Sequence, residues 1–284
     1  LPNQKMVKHS LIHQTIKCID IQLSTQCLKD QNIFNMDNEL LNYTLRIADN
    51  SLILGQRMSE WCSKGPTLEE DIALSNISLD LFGQANGFYS YASQLDGNKS
   101  PDDLAFLRNE REFFNQQIVE LENIDFGNTI VRNFLYDSYN FLFYSSLKNS
   151  KDDTLSALAS KSLKEVKYHL RHSKNWLIRL GDGTEFSKQK VQQSLEDIWQ
   201  YTHDMFSMDE IDNKMYKLNI GINNSHLKDE WDKIIDETLL EAKLVRPKDG
   251  YKAEGGKNGM HTEHLGFLLA EMQFLQRAYP NAKW

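Results

Sequence analysis

The 284-residue sequence predicts an all-α protein, built as an antiparallel bundle of long helices with additional helices near the C-terminal end. Three observations support this fold class. From Asn38 onward, apolar residues recur at three- and four-residue spacing over long stretches, which is the period of an amphipathic helix. Turns that contain glycine or proline separate these stretches, and the alternation typical of strands is missing from the sequence. Long helices joined by short turns are typical of antiparallel bundles.

Start and stop signals set the order of the predicted helices. Gly65-Pro66 ends the first one, because glycine tolerates left-handed geometry and proline lacks an N–H. Thr67-Leu-Glu-Glu70 has the pattern of a capping box, and Ser100-Pro101-Asp102-Asp103 combines a cap, an early proline and acids at the positive end of the helix dipole. The predicted helices span residues 38–62, 67–95, 100–117, 127–147, 151–180, 187–206, 227–244 and 259–279.

The fourth predicted helix is expected at the centre of the bundle. It carries six aromatic residues between Phe134 and Tyr144. Aromatic side chains bury large areas and dominate protein cores, so a helix this rich in them should be covered on most sides.

Composition excludes several classes of partner. The formal charge of −8 opposes non-specific attraction to nucleic-acid phosphates and anionic lipid, so we expect no nucleic-acid partner. No run of about 18 apolar residues occurs, so we expect no membrane-spanning helix. The sequence also has no nucleophile elbow, P-loop or HExxH motif, which leaves autonomous hydrolase or kinase activity without support.

The cysteines and the first residues indicate a cytoplasmic protein. Cys18, Cys27 and Cys62 match neither a zinc pattern nor a redox pattern, so we expect them to be reduced and structural in a reducing cytosol. Residues 1–35 are polar and lack the features of a secretory signal. We expect them to form a poorly ordered N-terminal extension before a single helical domain over 36–284.

Four acids lie on otherwise apolar helical faces, namely Asp49, Asp80, Asp137 and Glu165. They lie 31 and 28 residues apart within the two predicted hairpins, so each hairpin supplies a pair. Ferritin-like bundles hold two iron ions with acids placed in this way, together with a histidine three residues after two of the acids. The four acids are therefore predicted to occupy the positions of the carboxylate ligands of a di-iron site.

The histidines of such a site are missing. Gly83 stands three residues after Asp80, and Tyr168 stands three residues after Glu165. His169 is one position further, which rotates it by about 100° around the helix. Three interpretations stay open: a degenerate, metal-free site, a working iron site, or acids that cap backbone groups or pair with bases. The bases available on the same helix are Lys161, Lys164, Lys167 and Arg171.

Two further segments are candidates for contact with a partner or substrate. His261-Thr-Glu263-His264 places two imidazoles one helical turn apart, either as a metal or contact site or as structural caps of a helix start. Lys257 lies in the loop Gly255-Gly-Lys-Asn-Gly259 before that helix. Such a loop is either a flexible connection or an anion site that could hold the phosphates of a CoA thioester.

Four segments resemble a known family: NYTLRIADNSLILGQRMSEWC, DIALSNISLDLFGQA, KSLKEVKYHLRHSKNWLIRLGDGT and GGKNGMHTEHLGFLLAEMQFLQRAYPNAKW. Together they are similar to the non-catalytic ferritin-like subunits of ring-1,2-phenylacetyl-CoA epoxidases. The resemblance runs from Met36 to Trp284 in the same order, and the closing HTEHLG and LAEMQ strings are distinctive.

The resemblance implies a supporting role in phenylacetate catabolism. A homologous catalytic subunit would carry the di-iron centre and bind phenylacetyl-CoA, and a reductase with flavin and an iron–sulfur cluster would supply electrons. The complex would insert one oxygen atom of O2 into the aromatic ring with NADPH, while this chain would hold no cofactor and have no activity alone. The alternatives are an independent di-iron oxygenase or ferroxidase, and a free-standing CoA-thioester-binding module.

Overall fold

The computed structural model describes residues 38–280 and 282, so the extension predicted over 1–35 lies outside the described residues. The described part contains helices and no strand. Its helices are α1 (38–59), α2 (Leu68–Asp96), α3 (Pro101–Phe106), α4 (Phe126–Leu147), α5 (Asp153–Gly181), α6 (Glu185–Trp199), α7 (Glu210–Lys217), α8 (Lys228–Glu241), α9 (Glu263–Met272) and α10 (Phe274–Ala278). In this part of the chain, each helix is too short or too polar to cross a lipid bilayer.

Helix α2 runs antiparallel to α5. The Gln84 amide donates to Glu165 at 2.9 Å, and the Tyr91 hydroxyl donates to Asp152 at 2.5 Å. Residue numbers therefore rise along α2 while they fall along α5. The two helices belong to different hairpins, so these contacts join the hairpins side by side.

Helix α1 runs antiparallel to α4. Met58 sulfur accepts from the Asn133 amide at 3.0 Å, and the Trp61 indole donates to Thr129 at 3.1 Å. Since α1 and α2 form one hairpin and α4 and α5 another, α2 and α4 point the same way. The connection over 97–125 must therefore run along the bundle. Two antiparallel hairpins joined by one long crossover are the topology of ferritin-like bundles, and the predicted all-α fold class is confirmed.

The prediction that the aromatic helix lies centrally is also confirmed. Of the 22 residues of α4, 17 are buried. Rings from other helices pack against it: Phe88 stacks on Tyr144 with centroids 6.1 Å apart, and Phe206 meets Tyr139 edge-on at 5.7 Å. Helix α4 is thus the axis around which the core forms.

The predicted caps are present with one change. The Ser100 hydroxyl accepts from the Asp103 N–H, and the Asp103 carboxylate accepts from the Ser100 N–H, which completes a capping box. The Thr67 hydroxyl accepts from the Glu70 N–H, but the Glu70 carboxylate bonds His172 at 2.7 Å instead of closing the box. The Glu70 carboxylate thus bonds His172 of α5 and not the Thr67 N–H of its own helix cap.

Three predicted helix ends are wrong. The third helix ends at Phe106 rather than near residue 117, and the sixth ends at Trp199 rather than 206. The last begins at Glu263 rather than 259 and is interrupted at Gln273. At these points the chain makes tertiary contacts in place of a continued helix: the Gln200 carbonyl accepts from the Ala253 N–H, and His261 bonds Glu120. The segment after α3 carries Arg108 to a buried acid, as described below.

Candidate functional site

Asp49 is fully buried on α1 and bonded on every side. Its carboxylate accepts from the Tyr89 hydroxyl at 2.5 Å, from Arg108 Nη1 at 3.1 Å and from the Phe114 backbone N–H at 2.8 Å, and Arg108 Nη2 makes a further short contact. Burial by itself lowers the pKa of the Arg108 guanidinium, but the adjacent Asp49 charge raises it above its ordinary value. The expected inward orientation of Asp49 is confirmed, and its base comes from the crossover, not from α5.

The Asp49 pair is further enclosed by aromatic rings. The Arg108 guanidinium carbon lies 4.2 Å from the Phe113 ring centroid and 5.6 Å from that of Tyr89. Burial, followed by the Asp49 charge, raises the pKa of the Tyr89 hydroxyl, so it stays a hydrogen-bond donor. The arrangement fastens the crossover to α1 and α2 and leaves the carboxylate without a free oxygen for a metal ion.

Asp137 is buried on α4 and held by α5. The Ser173 hydroxyl donates to its carboxylate at 2.8 Å. Burial raises the pKa of Asp137 to about 6, against the opposing effects of His169 and of the Ser173 hydrogen bond. His169 in turn bonds Asp80 at 3.1 Å, so Asp80, His169 and Asp137 form one polar layer between α2, α4 and α5.

The Asp137→Asn substitution tests this layer through pH. The folded pKa of about 6 lies above the ordinary value of 3.8, so ionised Asp137 opposes folding above pH 6 and has no such effect below pH 4. We expect the difference in free energy of unfolding, variant minus wild type, to be larger at pH 8 than at pH 4 by about 1–3 kcal/mol. Urea unfolding of both proteins at the two pH values measures this change. A pH-independent difference would contradict the assignment.

Gly83 and Tyr168 lie on the outside of the bundle. The prediction that they occupy the positions of the missing histidine ligands is therefore corrected. Gly83 is exposed, and a Cβ built on it meets no atom within 4 Å. Tyr168 is also exposed. The predicted acid ligands three residues before them, Asp80 and Glu165, are only partly buried.

The inward-facing pairs at three-residue spacing are different ones. On α5 they are Val166 and His169, and on α2 they are Leu81 and Gln84, all of them buried. His169 therefore does occupy an interior imidazole position, but valine stands where the acid of an ExxH pair would be. The second pair offers no ionisable ligand at all.

The residues present do not fit a di-iron centre. Asp49 is occupied by Arg108, and Asp137 shares its layer with a single imidazole. Within residues 38–280 and 282, no group of three or more His, Cys, Asp and Glu side chains is placed to hold a metal ion. Cys62 is exposed and free of a disulfide, which differs from the structural role expected for it.

The basic residues predicted as partners of the interior acids are not their partners. Lys161, Lys164, Lys167 and Arg171 are all exposed on the outer side of α5. The acids bond Arg108, His169, Ser173 and Gln84 instead. Long basic side chains on the outer face of α5 cannot reach the interior.

A second buried ionic cluster lies around Glu120, a residue that the sequence pattern does not single out. Glu120 accepts from His261 Nδ1 at 2.9 Å, from the Asn115 amide at 2.8 Å and from the Thr262 N–H at 2.5 Å. His261 Nε2 meets the Phe113 carbonyl at 2.9 Å. Both imidazole nitrogens face acceptors, so both must donate, and the ring is an imidazolium.

The pKa of His261 follows from this geometry. Burial by itself lowers it, but the hydrogen bond and charge of Glu120 outweigh burial, and the pKa is raised. Both side chains are fully enclosed. The pair joins the loop before α9 to the crossover, so its role is to hold two distant segments together.

The His261-Thr-Glu-His264 segment is therefore not one helical face. Helix α9 begins at Glu263, so His261 precedes it and points into the protein. Glu263 is exposed, and His264 is half-buried, with its backbone carbonyl accepting from Arg57 at 3.0 Å. The two imidazoles do not form the pair that their spacing indicated.

The glycine-rich loop packs against the crossover, and its lysine is buried. Lys257 Nζ donates to Asp212 and to the Ser207 carbonyl, each at 2.8 Å. A side chain on Gly256 would overlap the Asn115 carbonyl oxygen, so glycine is required for close approach. The loop is part of the packed interior and does not present its lysine to a phosphate.

Comparison with known proteins agrees with this architecture. The profile of a protein family described as "Phenylacetic acid catabolic protein" matches residues 25–284. A curated relative, the C subunit of the 1,2-phenylacetyl-CoA epoxidase of Escherichia coli (strain K12), is 45% identical over 247 residues, which cover 87% of this chain and 100% of that relative. The resemblance seen in the sequence is confirmed, and the chain belongs to the family of phenylacetic acid catabolic proteins.

Proposed function

We propose that the chain is a supporting subunit of a multicomponent phenylacetyl-CoA epoxidase that acts in phenylacetate catabolism. The observation that carries the proposal is the match to a subunit of such an epoxidase along that relative's whole length. A match over the full length indicates a shared place in an assembly, and it is stronger support than a shared fold, since one fold serves many functions.

The chemistry of the interior is the observation that favours a supporting role. Oxygen activation by a di-iron centre needs several carboxylates with free oxygen atoms and imidazoles beside them. Here the two most buried acids, Asp49 and Glu120, are each occupied by a cation and by backbone N–H groups. These ionic clusters fix the crossover and the C-terminal helices in place, so they serve a rigid framework.

The cofactors and partners are then assigned to other chains. A homologous catalytic subunit holds the di-iron centre and binds phenylacetyl-CoA, and a reductase with flavin and an iron–sulfur cluster supplies electrons from NADPH. The chain works in the cytoplasm, a reducing compartment in which a free thiol such as that of Cys62 persists. It contributes surface and stability to the complex.

Reconstitution tests the proposal. The homologous catalytic subunit and the reductase are assayed for NADPH- and O2-dependent loss of phenylacetyl-CoA, with and without an equimolar amount of this chain. We expect turnover, or survival of the catalytic subunit in solution, to depend on the chain. Equal rates and equal stability of the catalytic subunit in both mixtures would overturn the proposal.

A further inference from the structure

The face of α2 that points away from the core carries one acid after its first turn, Asp80, whose side chain is 38% exposed and bonds His169 of α5. Helix α2 is described in full, and it buries Leu74, Leu81 and Phe88 on its inner side. Leu68 is 73% exposed, and Leu79 is 65% exposed. The exposed residues after the first turn are Ile72, Asn76, Leu79, Gly83, Asn86 and Gln94. A helix that faces water normally carries charges on its outer side, so this face is unusual.

The neighbouring helix α5 shows what a solvent face looks like in this protein. Helices α2 and α5 are both 29 residues long and lie side by side. The exposed charged residues of α5 are Asp153, Lys161, Lys164, Lys167, Arg171 and Arg179. The scarcity of charge on the outer side of α2 is therefore a property of that helix and not of the whole surface.

Gly83 adds a second observation. Glycine in the middle of a helix weakens it, and Gly83 has neither a positive φ nor a neighbour within 4 Å of a built Cβ. Nothing in the described part of this chain requires glycine there. A backbone that approaches α2 closely from outside would require it.

A groove of about 320 Å³ opens beside this face. Its walls include Leu52, Phe82, Ala105 and Phe106, and Asn86 belongs both to the groove and to the outward face. An apolar groove that continues a helix face with little charge can accept an anchoring side chain of a partner, which is how tight interfaces concentrate their affinity.

The border of the face toward α5 holds two partly buried acids, Asp80 and Glu165, and two exposed lysines beyond them on α5. Glu165 accepts a hydrogen bond from Gln84 of α2, and Lys161 and Tyr168 lie about one turn before and after Glu165 on α5. Lys164 lies between them and is exposed. The exposed charges of α5 beside this border are therefore lysines, although the formal charge of the chain is −8, and they favour acidic residues on the facing edge of a partner.

We propose that the outward face of α2, together with the groove, is the docking surface for a helical face of a different protein. That partner face has small or apolar residues at its centre and acidic residues along the edge next to α5. The inference rests on the proposed function, in which the homologous catalytic subunit is this partner. A 29-residue helix is about 44 Å long, enough to form the centre of an interface of about 800 Å² per partner.

The Leu79→Glu substitution tests the surface. Leu79 is largely exposed, so the fold should be kept, which circular dichroism can verify. We expect the dissociation constant for the purified catalytic subunit to rise at least about 30-fold, as for a central interface residue. Leu240→Glu on α8 is the matched control, because Leu240 is 81% exposed and lies away from α2, and its binding should stay near the wild-type value.

Gly83 supplies a second pair of variants. Gly83→Ala adds one methyl group that meets no atom of the free chain, so the fold should be kept, and it should weaken binding about threefold or more because a closely approaching backbone leaves no room for a Cβ. Gly83→Trp adds a large ring at the same exposed position and should weaken binding at least about tenfold, since steric exclusion acts only in the complex. Wild-type binding by both variants would contradict close approach at Gly83.

The outcomes separate the two proposals. A wild-type complex that Leu79→Glu leaves intact overturns the docking surface while the proposed function stands. Failure of the wild-type chain to bind the catalytic subunit overturns the proposed function and its partner. Self-association of wild type that Leu79→Glu abolishes identifies a second copy of this chain as the occupant, and overturns the claim of a different protein.

Discussion

Replacing Asp49 with alanine is expected to lower the free energy of unfolding by about 3–5 kcal/mol, the usual cost of removing one member of a buried ion pair. The substitution leaves the Arg108 guanidinium, the Tyr89 hydroxyl and the Phe114 N–H without their acceptor. Arg108 is itself buried, so water cannot replace the carboxylate. Urea unfolding of the full chain at pH 7, followed by circular dichroism, measures the loss.

The control for Asp49→Ala is Asp236→Ala. Asp236 also bonds an arginine, with Arg246 Nη1 at 2.7 Å, but its side chain is 58% exposed. We expect that loss to stay within about 1 kcal/mol, as for other exposed pairs. Similar losses for the two variants would mean that Asp49 does not act through buried ionic contacts.

Replacing Glu120 with alanine is expected to cost about 3–5 kcal/mol as well, with a dependence on pH that identifies its partner. The pKa of His261 is raised in the folded state, so the stability that its charged form contributes is fully present below about pH 6.5. That contribution is lost as pH rises through the folded pKa. The gap between wild type and Glu120→Ala should therefore be larger at pH 6 than at pH 9, as urea unfolding at both values can measure.

Glu254→Ala is the matched control for Glu120. Glu254 lies 3.8 Å from His203, and both side chains are largely exposed. Its removal should change stability by less than about 1 kcal/mol at either pH. A Glu120→Ala loss that is the same at pH 6 and pH 9 would argue against a charged His261.

The sequence predicts the helices well because their signals are local. Apolar spacing identifies the bundle helices, and six aromatics identify α4 as its centre. Helix ends are less predictable, because tertiary partners decide them. Glu70 matches a capping box in sequence, yet its carboxylate bonds His172, which is 102 residues away.

The site is harder to predict because burial depends on register and on distant segments. Asp49 is correctly placed inside, but its base, Arg108, lies 59 residues away on the crossover, beyond the end of α3, where the sequence predicts a continuing helix. Glu120 lies in the short 3-10 helix Gln117–Glu120, where no periodicity marks an inner face. The one sequence signal for this cluster is His261, and it does not identify the acid 141 residues away that binds it.

The direction in which the predicted acids face is hard to predict for the same reason. Helical spacing says which residues share a face, but a rotation of 100° decides whether that face points inward. Asp80 and Gly83 lie toward the outside, while Leu81 and Gln84 face the core. The apolar residues around Asp80 belong to two faces of α2, because the outer face also carries leucine and isoleucine. Exposed apolar residues on the outer face of α2 therefore resemble a core-facing pattern in the sequence, and the same residues form the proposed docking surface.

The most direct test of a supporting subunit is the iron content and mass of the complex. The chain and the homologous catalytic subunit are purified separately and together, and each sample is measured by light scattering and elemental analysis. We predict a stable complex in which iron follows the catalytic subunit, at two ions per copy of that subunit, and an isolated chain with iron far below one equivalent. Stoichiometric iron in the isolated chain, or two subunits that stay separate, would contradict the account.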